Sequence, residues 1–220
     1  MLNNYTVRTR LAVLALLPVT VFVITSIFTM SIMSDMVKGI DSLYDDRVIP
    51  LEQIKTVSDN YAVSIVDLFH KYRAEQISKT DFLAAVENAK DVADSKWKSY
   101  LGTKLTTEEQ RLVNIVEKNL AVVQSALSTF LTQVKSDQLK AVPNEVFVKN
   151  LYDVFDPLSE SYQGLINLQI NEANKFKNAA DKDFAQVTIA MTASITILII
   201  VLLAIAFIIY RSIHNPLLSL

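Results

Sequence analysis

The sequence predicts an all-α protein: a membrane-anchored antiparallel four-helix bundle with two transmembrane helices continuous with its first and last helices. Three observations carry this. Two charge-free runs, Leu11–Met33 (23 residues) and Phe184–Tyr210 (27 residues), reach the ~20 positions needed to cross a hydrocarbon core of about 30 Å. Between them, apolar residues recur at three- and four-residue steps in four successive stretches, the period of helices with one buried face. Only 3 of the 220 residues are Gly and 5 are Pro, too few for a turn-rich β protein.

Charge sets the orientation. Arg8 and Arg10 precede the first run and Arg211 follows the second, while all 23 acidic residues lie between the runs. The tendency of Lys and Arg to stay inside predicts residues 1–10 in the cytoplasm, Leu11–Met33 as the first span and Ser34–Asp183 outside. Phe184–Tyr210 is then the second span, and residues 211–220 return to the cytoplasm. The outer segment holds 18 basic and 23 acidic residues, a balance of −5, which gives nucleic acid nothing to bind. A cleaved signal peptide is the alternative for the first run. That run exceeds the usual ~7–15 apolar residues, and Thr29-Met30-Ser31 is a poor cleavage site.

The first outer helix carries Leu51, Ile54, Ser58, Tyr61, Ile65, Leu68 and Tyr72 in a heptad-like stripe. A second stripe, Ala62, Val66 and Phe69, lies about 100° round and is either part of one wide core face or a surface for another copy. Pro50 predicts a bend near Asp46–Pro50. A turn is expected near Gln76–Lys79, with Ser78 as a cap, then a helix from about Thr80 to Tyr100 stopped by Gly102. Thr106 and Glu109 form a capping box for a helix carrying Leu112, Val116, Leu120, Val123, Leu127, Phe130 and Val134. After Pro143, Val148, Leu151, Phe155, Leu158, Tyr162 and Leu165 mark the last helix, expected to bend at Pro157 without losing phase. From Leu165 to Asn215 no Gly or Pro interrupts the chain. As one helix that stretch is roughly 77 Å long, enough to begin in water and cross lipid. Two adjacent helices are the alternative.

No catalytic constellation, cofactor motif or metal pair is present. Cysteine is absent, and neither histidine has a second His or carboxylate three or four residues further on. Asp45-Asp46 and Glu108-Glu109 read as cap and surface residues. The chain is therefore not expected to be an enzyme.

The stretches Leu43-Tyr44-Asp45-Asp46-Arg47-Val48-Ile49-Pro50-Leu51 and Asn60-Tyr61-Ala62-Val63 resemble the four-helix-bundle sensor domain of bacterial methyl-accepting chemotaxis receptors. Arg211-Ser212-Ile213-His214-Asn215-Pro216-Leu217-Leu218 resembles the opening of a HAMP linker, with Pro216 just beyond the membrane. The resemblance implies an inner-membrane homodimer with residues 34–183 in the periplasm, sensing a small molecule. It further implies that the last helix shifts along its axis and that the HAMP linker passes the shift to a cytoplasmic coiled coil serving a histidine kinase and its adaptor. Phe207, Tyr210 and Arg211 would anchor the cytoplasmic end of the second span. The same input module fronts sensor kinases and cyclic-dinucleotide enzymes, and a non-signalling tether is a further alternative.

By the family's geography the ligand lies in the distal half of the bundle, between the first helix, its dimer mate and the start of the last helix. There the sequence holds His70, Lys71, Tyr72 and Arg73, and Lys149, Asn150 and Tyr152. Basic, aromatic and amide groups together suit a carboxylate, because Arg offers a bidentate fork and Tyr a donor. The plainer reading of His70, Lys71 and Arg73 is a solvated helix end beside a favourable dipole.

Overall fold

The computed structural model describes residues 7–217, and every element among them is helical. The order is α1 (Val7–Leu43), a π segment (Tyr44–Val48), α2 (Ile49–Asp59), a second π segment (Asn60–Ile65) and α3 (Val66–Arg73). Then come α4 (Lys79–Leu101), α5 (Thr107–Lys135), a 3₁₀ turn (Leu139–Ala141) and α6 (Asn144–Leu217). The chain forms two compact units. One is Ser42–Lys175, and the other combines the chain before and after it. The bundle unit thus starts and stops inside the expected Ser34–Asp183. Residues beyond its ends pack in the other unit, where the Phe176 ring lies against Gly39 at a distance a Cβ would close to 2.8 Å.

That other unit carries α1 and the later part of α6, both long and apolar enough to cross a membrane. Their hydroxyls are spent on backbone. Thr20 donates to Leu16 O, Thr25 to Val21 O, Thr188 to Phe184 O and Thr192 to Thr188 O, each at 2.8–2.9 Å. Such bonds keep these four hydroxyls from being stranded in an apolar surrounding.

In the bundle unit, the irregularity expected near Pro50 takes the form of a wider turn. Pro50 has no N–H to give, and its ring crowds the carbonyl four residues back. The chain accommodates it with Tyr44–Val48, after which the Ile49 N–H donates to Tyr44 O, five residues earlier. The second π segment was not foreseen, and it changes the core. A π turn inserts a residue, so the faces on either side of it are offset. Ile54 and Val57 are buried before it, Tyr61 and Ile65 within it, and Val66, Phe69 and Tyr72 after it. Leu68, expected in the stripe, is only half-buried, and Phe69 takes the core position with no exposure. Val66 and Phe69 therefore serve the interior of one subunit and are not a face for a second copy.

The next turn, Ala74–Ser78, lies where expected. Glu75 adopts φ 60°, letting Gln76 N–H reach Lys71 O at 3.0 Å and close α3. Ser78 caps α4 by accepting from Asp81 N–H at 3.1 Å. Gly102 ends α4 in a right-handed conformation (φ −75°), so the stop does not use glycine's freedom; Thr103 closes it by bonding Tyr100 O. The Thr106/Glu109 capping box is present, with Thr106 N–H on Glu109 Oε2 at 2.7 Å.

Along α5 the buried stripe is Glu109, Val113, Val116, Leu120, Val123, Leu127, Phe130 and Val134. Val113 replaces the expected Leu112 because the stripe runs back in phase to Glu109. On α6, Phe147 replaces Val148, and Leu151, Phe155, Leu158, Tyr162 and Leu165 are buried as expected. The stripe continues into Gln169, which has no exposure. Pro157 lies inside α6, and its carbonyl accepts from Asn119 Nδ2 at 3.0 Å.

Candidate functional site

The end of the bundle formed by the α3–α4 turn and the 3₁₀ turn is built around aromatic rings. Phe69 meets Phe82, Phe130 and Phe147 at centroid distances of 5.0, 5.5 and 6.3 Å, so one ring from each helix contributes. Large apolar area on all four helices draws their ends together at this level.

On the outer side of this cluster, His70 of α3 and Tyr152 of α6 come together as the sequence anticipated. The Tyr152 hydroxyl and His70 Nε2 are 3.4 Å apart, and His70 stands edge-on to Phe147 at 5.8 Å. Both side chains remain partly open to solvent. Asn150 is exposed on the same stretch of α6, and Lys149 is exposed and paired with Asp153 one turn on. Lys71 pairs with Asp67 at 2.6 Å.

Arg73 has a different occupation from the open fork anticipated for it. Its Nη1 donates to Leu139 O at 2.6 Å and its Nη2 to Val142 O at 2.9 Å, while the guanidinium lies 4.4 Å from the Phe147 ring centroid. Burial holds its ionisation below the usual arginine value. Arg73 thus ties the 3₁₀ turn to the end of α3, using the carbonyls that a short turn leaves unsatisfied. Lys140 extends over Tyr72 and pairs with Glu75 at 3.0 Å, and Lys79 holds Asp137 at 2.9 Å. A separate groove of about 310 Å³ between α4 and α5 is lined by Lys90, Gln124, Leu127, Ser128, Leu131, Thr132 and Lys135, none of them anticipated.

The bundle interior also holds polar groups that patterning assigned to the surface. Glu109 is 3% exposed and Gln169 fully buried, with Arg47 donating toward both. Tyr61 donates to Asp94 at 3.3 Å, and burial, reinforced by the Asp94 charge, pushes its phenol up to about 12. The Tyr100 and Tyr162 hydroxyls are buried without a bond, and burial raises both well above an ordinary phenol. Both charged and amide members of the Glu109 cluster lie in phase with apolar stripes, four residues before Val113 and four after Leu165. That phase was the available signal. Among the described residues no group of three His, Cys, Asp or Glu could hold a metal ion.

In the other unit, Phe207, Tyr210 and Arg211 are exposed on α6. Pro216 lies within α6; the side chains from Ser212 onward are outside the described residues, and so is Leu218 of the HAMP-like stretch.

Four packed helices, with two helices long and apolar enough to cross a membrane, are the architecture of a four-helix-bundle sensor. The chain belongs to the family described as the four helix bundle sensory module for signal transduction, whose model matches residues 4–184. Among relatives, it is similar to the methyl-accepting chemotaxis protein NahY of Pseudomonas putida, with 31% identity over 180 residues. That match covers 81% of this chain and 33% of the relative, so the chain spans about a third of that protein's length. No solved structure matches the chain.

Proposed function

We propose that the chain is the input module of a chemotaxis receptor in a bacterial inner membrane, with the bundle in the periplasm and residues 1–10 and 211–220 in the cytoplasm. In this reading a small carboxylate-bearing molecule binds at the end of the bundle where His70, Lys149, Asn150 and Tyr152 gather, with Arg73 shaping the floor. Ligand binding displaces α6 along its axis, and a HAMP linker beginning at Arg211 carries that displacement to a kinase-control region. Phe207, Tyr210 and Arg211 set the resting depth of α6, and Pro216 lies just beyond the membrane at the start of the linker. The module works as a homodimer, and the apolar residues left outside on the first leg, Tyr44, Val48 and Val63, are 57%, 45% and 60% exposed.

The observation that carries this reading is the extent of α6. One helix, Asn144–Leu217, holds Tyr152 near its start and the apolar run near its end. A ligand shifts such an element only by its difference in affinity for two positions. The test is a thermal-shift screen of the chain in detergent micelles against organic, amino and aromatic acids. A ligand at ~100 times its dissociation constant adds about 2.7 kcal/mol. Binding that survives both Lys149→Ala and Tyr152→Phe unchanged refutes the site.

A further inference from the structure

Methionine sulfur gathers in one part of this chain. Four of the five methionines fall on two short stretches, Met30, Met33 and Met36 on α1 and Met191 on α6. Met33, Met36 and Met191 line one cavity of about 580 Å³ in the unit that α1 shares with the later part of α6. Helical phase brings them there. At about 100° per residue, Thr29, Met33 and Met36 fall within an arc of about 60° on α1. That arc faces α6, because the Thr29 hydroxyl lies 3.9 Å from Met191 Sδ. Gly39 meets Phe176 farther along, so the two helices run antiparallel here. Long side chains on a helix lean toward its N-terminus. Met33 and Met36 start about 6 and 10 Å beyond Thr29 along the axis and lean back toward it, while Met191 leans the opposite way to meet them. Three rotatable bonds in each side chain let the sulfurs close on one point. Met33 and Met36 are 61% and 45% exposed, so they are not filler inside a core and an entering ion can reach them.

We propose that Met33, Met36 and Met191 form a binding site for a soft monovalent cation of the copper(I) type, held by three thioether sulfurs between α1 and α6. Thioether is a soft, neutral ligand that selects copper(I). Calcium and magnesium need a shell of oxygens, and zinc sites are built from Cys, His and carboxylate. The cavity offers two carboxylates, Asp35 and Asp183, and no Cys or His, which falls short of either set. Lys38 pairs with Asp35 at 3.1 Å, so the cavity keeps the Asp183 charge, which favours a cation over an anion. A thioether carries no proton to lose, so binding needs no deprotonation, unlike a thiolate or imidazole site. An ion held there joins α1 to α6 and gives the module an input of different chemistry from a carboxylate. The site uses none of the residues at the His70–Tyr152 end, so a failed screen of acids leaves it standing.

Silver(I) is the probe, because it shares the softness and single charge of copper(I) and is stable in air. The whole chain, with carbon-13 in its methionine methyls, is titrated with silver nitrate in chloride-free phospholipid nanodiscs. The five methyl signals are followed by nuclear magnetic resonance. Those of Met33, Met36 and Met191, assigned through single Leu substitutions, should shift together and saturate at one ion per chain, with Met1 unmoved. Leucine keeps the volume of methionine, so Met33→Leu/Met36→Leu should fold as the parent does. It should bind silver at least about 100-fold more weakly, the upper end of what losing even a supporting residue around a metal costs. Saturation should need the same silver concentration at about pH 5.5 and about pH 7.5, on either side of the imidazole value. Three results each overturn the proposal: no shift at one equivalent, a Met191 shift unchanged in the double variant, or an affinity that falls at the lower pH, which would assign the ion to a histidine. If circular dichroism shows the double variant unfolded, Met191→Leu, read on the Met33 and Met36 signals, supplies the same comparison.

Discussion

The offset created by the second π segment can be tested with two neighbouring side chains, Leu68 and Phe69. A uniform helix with the heptad stripe of the sequence makes Leu68 the core residue. In the structure Phe69 has no exposure and touches rings from α4, α5 and α6, whereas Leu68 is half-buried. Truncating a buried phenylalanine costs about 3–5 kcal/mol, through lost transfer energy plus the cavity left behind. The edge-to-face pairs with Phe82 and Phe130 place Phe69→Ala toward the upper end of that range. Full burial of a leucine is worth about 1.5–3 kcal/mol, so half of it makes Leu68→Ala cost about 0.8–1.5 kcal/mol. At about 4 °C per kcal/mol, the losses in melting temperature are about 12–20 °C and about 3–6 °C. Thermal unfolding followed by circular dichroism on the two variants in the same detergent measures the ratio. Equal losses, or a larger one for Leu68→Ala, would mean the register is that of a continuous α-helix and the core assignment is wrong.

Three further outcomes follow from individual contacts. Arg73→Ala removes both bonds to the Leu139 and Val142 carbonyls and should cost about 2–4 kcal/mol, with Arg73→Lys recovering only part of it; a loss within error of zero in denaturant melts would show the clamp is absent in solution. Burial raises the ionisation of Tyr61, to about 12, and of Tyr100 and Tyr162, so their neutral forms stabilise the fold fully below the ordinary phenol value. That contribution is lost as pH climbs through the raised values, so 3 of the 8 tyrosines should titrate late and together with alkaline unfolding, and spectrophotometric titration with all eight ionising near pH 10 would contradict this. The Lys96 ammonium, through its hydrogen bond, holds the Glu52 carboxyl below its ordinary value, so this pair stabilises above the ordinary carboxylate range and fades as pH falls through it. Both groups are exposed, so Lys96→Met should flatten the acid limb of a stability-versus-pH curve by only about 0.2–1 kcal/mol; a change of several kcal/mol would assign the pair a role its exposure denies.

What was legible in the sequence was local. The Thr106/Glu109 box and the Ser78 cap depend on residues three apart, and the four stripes and two apolar runs depend on composition and period alone. The π segment at Asn60–Ile65 left no such mark, because hydrophobic residues on both sides of it fit an undisturbed helix until Leu68 and Phe69 must be told apart. Patterning also reads charge and amide as surface. Glu109 and Gln169 escaped for that reason, although both keep phase with the residues buried around them. Arg73 was misjudged in a related way: its planar fork suits a ligand carboxylate, and equally two carbonyls of a turn that the sequence does not place beside it. His70 and Tyr152, by contrast, were brought together by the simple antiparallel pairing of the first leg with α6.

The account depends on α6 acting as one element from the bundle into the apolar run. Amide hydrogen exchange on the chain in phospholipid nanodiscs, read residue by residue across 165–190, tests this most directly. Unbroken protection through Phe176–Phe184 is the expected result, since every amide there has a helical partner. Exchange at the rate of free peptide over even one turn in that interval would mean a hinge, and no displacement at Tyr152 could then reach Arg211.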